Sequence, residues 1–140
     1  MPNATVLDSH ALLAFLLGEP GGVVVKSLLE SAGKKRHVLH MTELNYAEVK
    51  YIILRRRGLS AWNDTASGLP EMPIQFHPLD RALADIAADY KSRHPMSLAD
   101  ACTAALAKQK KAELVTGDPE FKPLNDIKVV WLARGAPRKN

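Results

Sequence analysis

A chain of 140 residues, 46% hydrophobic and 24% charged, has the size and composition of one folded domain. A domain of that size buries roughly 70% of its unfolded surface, which argues against disordered and fibrous classes. The formal net charge of +4 favours an anionic partner without naming one. The single cysteine, Cys102, excludes an internal disulfide and suits a reducing cytoplasm. The longest apolar run, Ala11 to Leu17, is about a third of a membrane span and has no basic leader before it. A soluble cytoplasmic protein, not associated with a membrane, is expected.

Thr5-Val6-Leu7 reads as a short strand that ends at Asp8, and Asp8-Ser9 can cap a helix through Ala11, Leu12, Phe15 and Leu16. Gly18 to Gly22 ends that helix, and a second runs from Val23 to Ser31, stopped by Gly33. Val38-Leu39-His40 is the second strand. Thr42 caps a long helix from Glu43 to Arg57, which Gly58 closes, and Ser60 to Ser67 add a short helix. Ile74-Gln75-Phe76 is the third strand, and Asp80 caps a helix through Leu83, Ile86, Ala87 and Tyr90. Ser97 starts another helix that extends through Ala107, and Leu114-Val115-Thr116 is the fourth strand. Residues 127–131 form the last strand, before a polar, basic tail over 134–140.

Short apolar strands alternating with helices imply an α/β fold, a mostly parallel sheet of about five strands covered on both faces. One domain over 1–133 follows, with no repeat and no linker. Open sheets of this kind place working residues beyond the carboxyl ends of their strands, where Asp8 and Asp118 fall.

Four acids stand out, and each has a plain structural alternative. Asp8 can serve as a helix cap. Glu48 falls among Leu44, Ala47, Tyr51 and Ile52, which read as an apolar helical stripe. A carboxylate buried there needs a basic partner or a metal, because desolvating it alone costs several kcal/mol. Glu43 lies beside Lys50 on the polar face, in the first turn, where its charge suits the helix dipole. Asp100, in Ser97-Leu98-Ala99-Asp100, fits a capping box, and Asp118 fits the start of a Gly-Asp-Pro turn. The set is harder to explain than its members: two strand ends and two helix positions would converge in one small domain. Crowded carboxylates repel, and a hard divalent cation such as Mg²⁺ or Mn²⁺ relieves them. Such an ion also activates water for phosphodiester hydrolysis.

The segments Val6 to Ala14, Asn45-Tyr46-Ala47-Glu48-Val49, Ser97-Leu98-Ala99-Asp100-Ala101 and Thr116-Gly117-Asp118-Pro119-Glu120-Phe121 resemble, in order, the acidic motifs of PIN-domain ribonucleases. Within that family they resemble the VapC toxins of prokaryotic toxin–antitoxin pairs. The resemblance implies an α/β/α sandwich and a Mg²⁺-dependent endoribonuclease acting on RNA. It makes Asp8, Glu48, Asp100 and Asp118 the metal-binding, catalytic acids, with Thr116 in support through its hydroxyl. It also implies a homodimer held inactive by a cognate antitoxin protein. Some relatives carry a further acid near the last motif, a place held here by Glu120. The number of metal ions stays open.

Basic runs at Lys34 to Arg36, Arg55 to Arg57 and Lys108 to Lys111 sit at predicted helix ends, where the dipole favours them. Arg55, Arg56 and Arg57 are the first choice for contacts to RNA phosphates. The five histidines show no zinc spacing, and Cys102 lies on an apolar helix as a core residue rather than a nucleophile. Trp62 and Trp131 suit packing better than base stacking. Two rival readings are an aspartate-based phosphatase or phosphotransfer domain and a non-catalytic nucleic-acid- or partner-binding domain of the same fold. The first usually needs a second Asp two residues after the strand-end Asp, where this chain has His10.

Overall fold

Five strands and five principal helices alternate along the chain in the structure, a computed structural model that describes residues 3–133. The basic tail over 134–140 lies outside the described residues. The strands are β1 (Ala4–Leu7), β2 (Val38–Thr42), β3 (Ile74–His77), β4 (Glu113–Thr116) and β5 (Val129–Trp131). The helices are α1 (Ser9–Leu16), α2 (Gly22–Gly33), α3 (Glu43–Gly68), α4 (Arg81–Arg93) and α5 (Leu98–Lys110). All strand pairs are parallel and the spatial order is β3-β2-β1-β4-β5, so β1 is central. The chain winds outward from β1 to β3, then returns to the other side of β1 as β4. A crevice therefore opens between the carboxyl ends of β1 and β4.

Successive strand residues face opposite sides, which divides the core in two. Val6 and Leu114 pack with α4 and α5, whereas Leu7, Leu39, Met41 and Val115 pack with the layer of α1, α2 and α3. The result is the three-layer α/β/α sandwich expected. Each large side chain so buried contributes about 1.5–3 kcal/mol. The α5 helix is buried along eight consecutive residues, Asp100 to Ala107, because its alanines let it lie close to the sheet, to α3 and to α4. Cys102 is wholly buried among them, and that burial raises its thiol pKa, as suits a core residue. No helix among the described residues is long and apolar enough to cross a membrane.

The helix starts follow their caps. Asp8 Oδ1 accepts from the Ala11 N–H at 2.8 Å, Thr42 from Asn45 at 3.0 Å, Asp80 from Leu83 at 2.9 Å and Ser97 from Asp100 at 3.1 Å. Gly58 breaks α3 at φ +88° and ψ 179°, a conformation open to glycine, and a second helical piece continues to Gly68. Gly22 begins α2 instead of merely ending α1. A Cβ there would meet the Ala14 carbonyl oxygen at 2.6 Å, so glycine lets the two helices touch. Two expectations need correction. The last strand begins at Val129, since a bend at Asp126 and Ile127 precedes it and Lys128 is not yet paired as strand. The stripe of Leu44, Ala47, Tyr51 and Ile52 is not the buried face of α3: Tyr51 is 43% exposed, and the inward residues are Asn45, Val49 and Ile53. A helix carrying apolar residues on two sides offers more than one stripe, and contact with α1 and α5 selects the one through Val49.

On the edge of the sheet, His40 Nδ1 and His77 Nε2 lie 2.8 Å apart. Two imidazoles can share a single proton at that distance, but two charged rings repel. Burial, then His77, Lys110 and His37, hold His40 down to about 4, and burial with Lys110 also lowers His77 against the opposing pull of Asp80. A histidine in the unfolded chain titrates near 6.5, so between the two values the unfolded state binds more protons. The stabilisation is complete above about 6.5 and is lost as pH falls toward about 4. Thermal melts from pH 7.5 to 4.5 should therefore show a steeper loss of Tm for the wild-type chain than for His77→Gln. Parallel curves would contradict this.

Candidate active site

The strand β1 ends at Leu7 and β4 at Thr116, neighbours across the centre of the sheet. Just beyond them the Thr116 hydroxyl donates a short hydrogen bond to Asp8 Oδ2 and accepts one from the Asp118 N–H at 2.9 Å. One wholly buried hydroxyl thus fixes two acid-bearing segments 108 residues apart in sequence. Asp8 is itself buried, with its other oxygen held by the first turn of α1. Asp118 turns its Oδ1 back to the Glu120 N–H at 2.9 Å, as the Gly-Asp-Pro turn predicts, and caps a short 3₁₀ turn. Capping and site-building are compatible roles here.

The Asp100 carboxylate projects from the first turn of α5 into the same crevice. Oxygens of Asp100, Asp118 and Glu120 all lie within 4.8 Å of one another, a spacing that could hold one cation. Ligand oxygens about 2.1 Å from a Mg²⁺ ion are separated by roughly 3–4 Å, so small side-chain movements would close the set. Without an ion the group is strained electrically. Burial, a hydrogen bond with Glu120 and the charges of Asp118 and Glu120 push the Asp100 carboxyl up to about 9. A cation reverses that penalty by favouring the ionised form.

The structure thus brings two of the four predicted acids, Asp100 and Asp118, into one close group. Asp8 adjoins them through Thr116 and His10. The His10 Nδ1 lies 3.7 Å from Asp8 Oδ2 and 3.9 Å from Asp118 Oδ2, at the mouth of the crevice. Glu48 is half-buried and stands on α3, where it accepts from Asn45 Nδ2 at 2.7 Å. No ion pair among the described residues involves it. Glu43 is exposed in the first turn of α3. Arg55, Arg56 and Arg57 are exposed in the turn before the Gly58 break, and Arg55 lies over the Tyr51 ring at 5.0 Å.

Three participants lie outside the four acids that the sequence pattern selects. Glu120 belongs to the close carboxylate group although it is exposed. Its position two residues after Asp118, across a proline, is the signal that points to it. His10 has no zinc spacing, yet two residues after a strand-end acid is the right place to meet that acid. Asn45 is buried in the first turn of α3 beside Glu48, an orientation that only the tertiary packing of α3 decides. The expected packing role of Trp62 agrees with its burial and its edge contact with Tyr46.

Asp100 supplies a direct check on the electrostatics. In the unfolded chain it ionises near 3.8, whereas the folded chain keeps the proton to about 9. Folding takes up a proton in that window, so this group lowers stability as pH rises. In chelator, Asp100→Asn should flatten the decline of Tm between pH 5 and 8.5. An unchanged slope would show that the carboxylates do not crowd in solution.

The arrangement has relatives. The PIN domain, as a family, matches residues 5–126. VapBC2 of Rickettsia felis, solved bound to a DNA fragment from its promoter, superposes with a TM-score of 0.75 at 14% identity, covering 93% of this chain and 99% of that one. VapC20 of Mycobacterium tuberculosis, described as a sarcin-ricin loop cleaving toxin, gives 0.66 at 19% identity over 89% and 98%. FitAcB of Neisseria gonorrhoeae gives 0.67 at 23% identity over 89% and 95%. At such identities the likeness is one of fold. No curated protein sequence matches the chain. Because the family match takes in both acid-bearing strand ends and the helices between them, this chain belongs to the PIN-domain family.

Proposed function

We infer that the protein is a divalent-metal-dependent endoribonuclease and the toxin of a toxin–antitoxin pair. The observation that carries this reading is the group of carboxylates at the carboxyl ends of β1 and β4, completed from the head of α5. The donor set is all oxygen, which suits Mg²⁺, with Mn²⁺ as a substitute. Asp100, Asp118 and Glu120 would hold the ion, with Asp8 beside them and Glu48 brought in from α3 as further ligands or as acceptors for an attacking water. The ion would supply charge neutralisation for the phosphodiester and a water of lowered pKa. Asp8 accepts hydrogen bonds from Ala11 and Thr116, which keep its carboxylate aimed at the crevice. In the reaction a water oxygen bonds to phosphorus, the bond from phosphorus to the leaving oxygen breaks, and a proton passes from that water to a carboxylate.

The formal charge of +4 and the exposed Arg55, Arg56 and Arg57 suit an RNA backbone, a contribution sensitive to salt and blind to sequence. Several similar folds belong to VapBC pairs, which supports a cognate antitoxin as partner; a homodimer is carried over from the resemblance to VapC toxins. A cytoplasmic location suits an RNA substrate of this kind. The test is cleavage of structured RNAs by the wild-type chain, Asp8→Asn and Asp118→Asn, each with Mg²⁺, with Mn²⁺ and with EDTA. Losing several kcal/mol of charge stabilisation corresponds to at least about a hundredfold in rate. Both variants should lose that much with their far-ultraviolet spectra unchanged, and EDTA should abolish wild-type activity. Cleavage that survives chelation would overturn the reading.

A further inference from the structure

Asn45 uses both ends of its buried amide. Its Nδ2 donates to Glu48 Oε1 at 2.7 Å, one turn along α3, and its Oδ1 accepts from Thr103 Oγ1 at 2.6 Å on α5. The orientation is forced by chemistry: an ionised carboxylate only accepts, so the NH₂ end must face Glu48 and the carbonyl end needs a donor. Thr103 is that donor, and its hydroxyl also lies 3.0 Å from the Ala99 carbonyl oxygen. It is the one hydroxyl in the buried run from Ala101 to Ala107, and it stands one turn beyond Asp100. Packing alone would be served there by an apolar side chain of similar size.

We propose that Asn45 and Thr103 are positioning residues, a buried clamp that fixes the Glu48 carboxylate of α3 relative to Asp100 at the head of α5. The proposal rests on the nuclease reading of the site. A glutamate has three side-chain torsions and, half-exposed, would sample many rotamers; the amide selects one, and the threonine holds the amide. The bond from Thr103 to Asn45 ties α3 to α5 one turn beyond Asp100. Groups behind metal-binding side chains commonly act this way, and removing one costs about ten- to a hundredfold in metal affinity or activity.

The test compares the full-length wild-type chain with Thr103→Val, Thr103→Ser and Glu48→Gln. Mn²⁺ affinity is read without RNA from the electron paramagnetic resonance of the free ion, and kcat and KM are read on a cleaved RNA. Thr103→Val should lower kcat and Mn²⁺ affinity by about tenfold each with KM within about twofold, and Thr103→Ser should restore both. Asn45→Ala provides the same reading should Thr103→Val not fold. Wild-type kcat and Mn²⁺ affinity in Thr103→Val, whatever its Tm, would overturn the clamp. So would a loss that Thr103→Ser leaves uncorrected. Glu48→Gln separates the two ideas: if it loses activity while Thr103→Val does not, the clamp alone fails. If it keeps full activity and affinity, Glu48 is no part of the site and the clamp falls with it.

Discussion

Like charges held close together are the constraint around which this molecule is arranged. Asp100, Asp118 and Glu120 bring their oxygens within 4.8 Å of one another, and Asp8 is locked beside them by the Thr116 hydroxyl. Left alone, such a group gives up a proton only reluctantly, as the rise of the Asp100 pKa to about 9 records. A protein keeps that penalty only where something else is gained. A cation gripped at the crevice would offset it, and the surrounding hydrogen bonds aim the carboxylates without neutralising them. His10, 3.7 Å from Asp8 and 3.9 Å from Asp118, provides a counter-charge when protonated.

The fold supplies the geometry that makes this crowding possible. A parallel sheet with β1 at its centre leaves a gap where the chain reverses direction, and the ends of β1 and β4 flank it. The alanine-rich α5 packs close enough to the sheet to carry Asp100 into the gap. Caps at Asp8 and Ser97 fix where the helices begin, and so where the acids at their heads point. Apolar burial on both faces, divided between the α4–α5 side and the α1–α2–α3 side, holds the frame that these local bonds refine.

Much of this can be read from residues in order. Thr5-Val6-Leu7 before Asp8 and Leu114-Val115-Thr116 before Asp118 locate two strand ends, because a short apolar run stopped by a turn residue is the usual mark of a buried strand. The helix starts at Thr42, Asp80 and Ser97 are equally legible, since a cap needs a particular side chain at a particular offset. Less legible is which side of α3 turns inward. Apolar residues on two faces leave the choice to tertiary contact, and the contact favours Asn45, Val49 and Ile53. Periodicity therefore assigns Glu48 the wrong neighbours. Glu120 is raised only by the resemblance, and His10 not at all as a site residue, because their proximity to the acids is a matter of loop geometry, which has no periodic signature. The bond from Asn45 to Thr103 spans 58 residues, and nothing local announces it.

The central claim is that these scattered carboxylates share one cation. Anomalous diffraction from crystals of the full-length chain soaked in Mn²⁺ tests it most directly. The account predicts a peak in the crevice, within ligand distance of Asp100 and Asp118 and lost in Asp118→Asn crystals. Density for the ion elsewhere on the surface, with these side chains unmoved and the crevice empty, would contradict it.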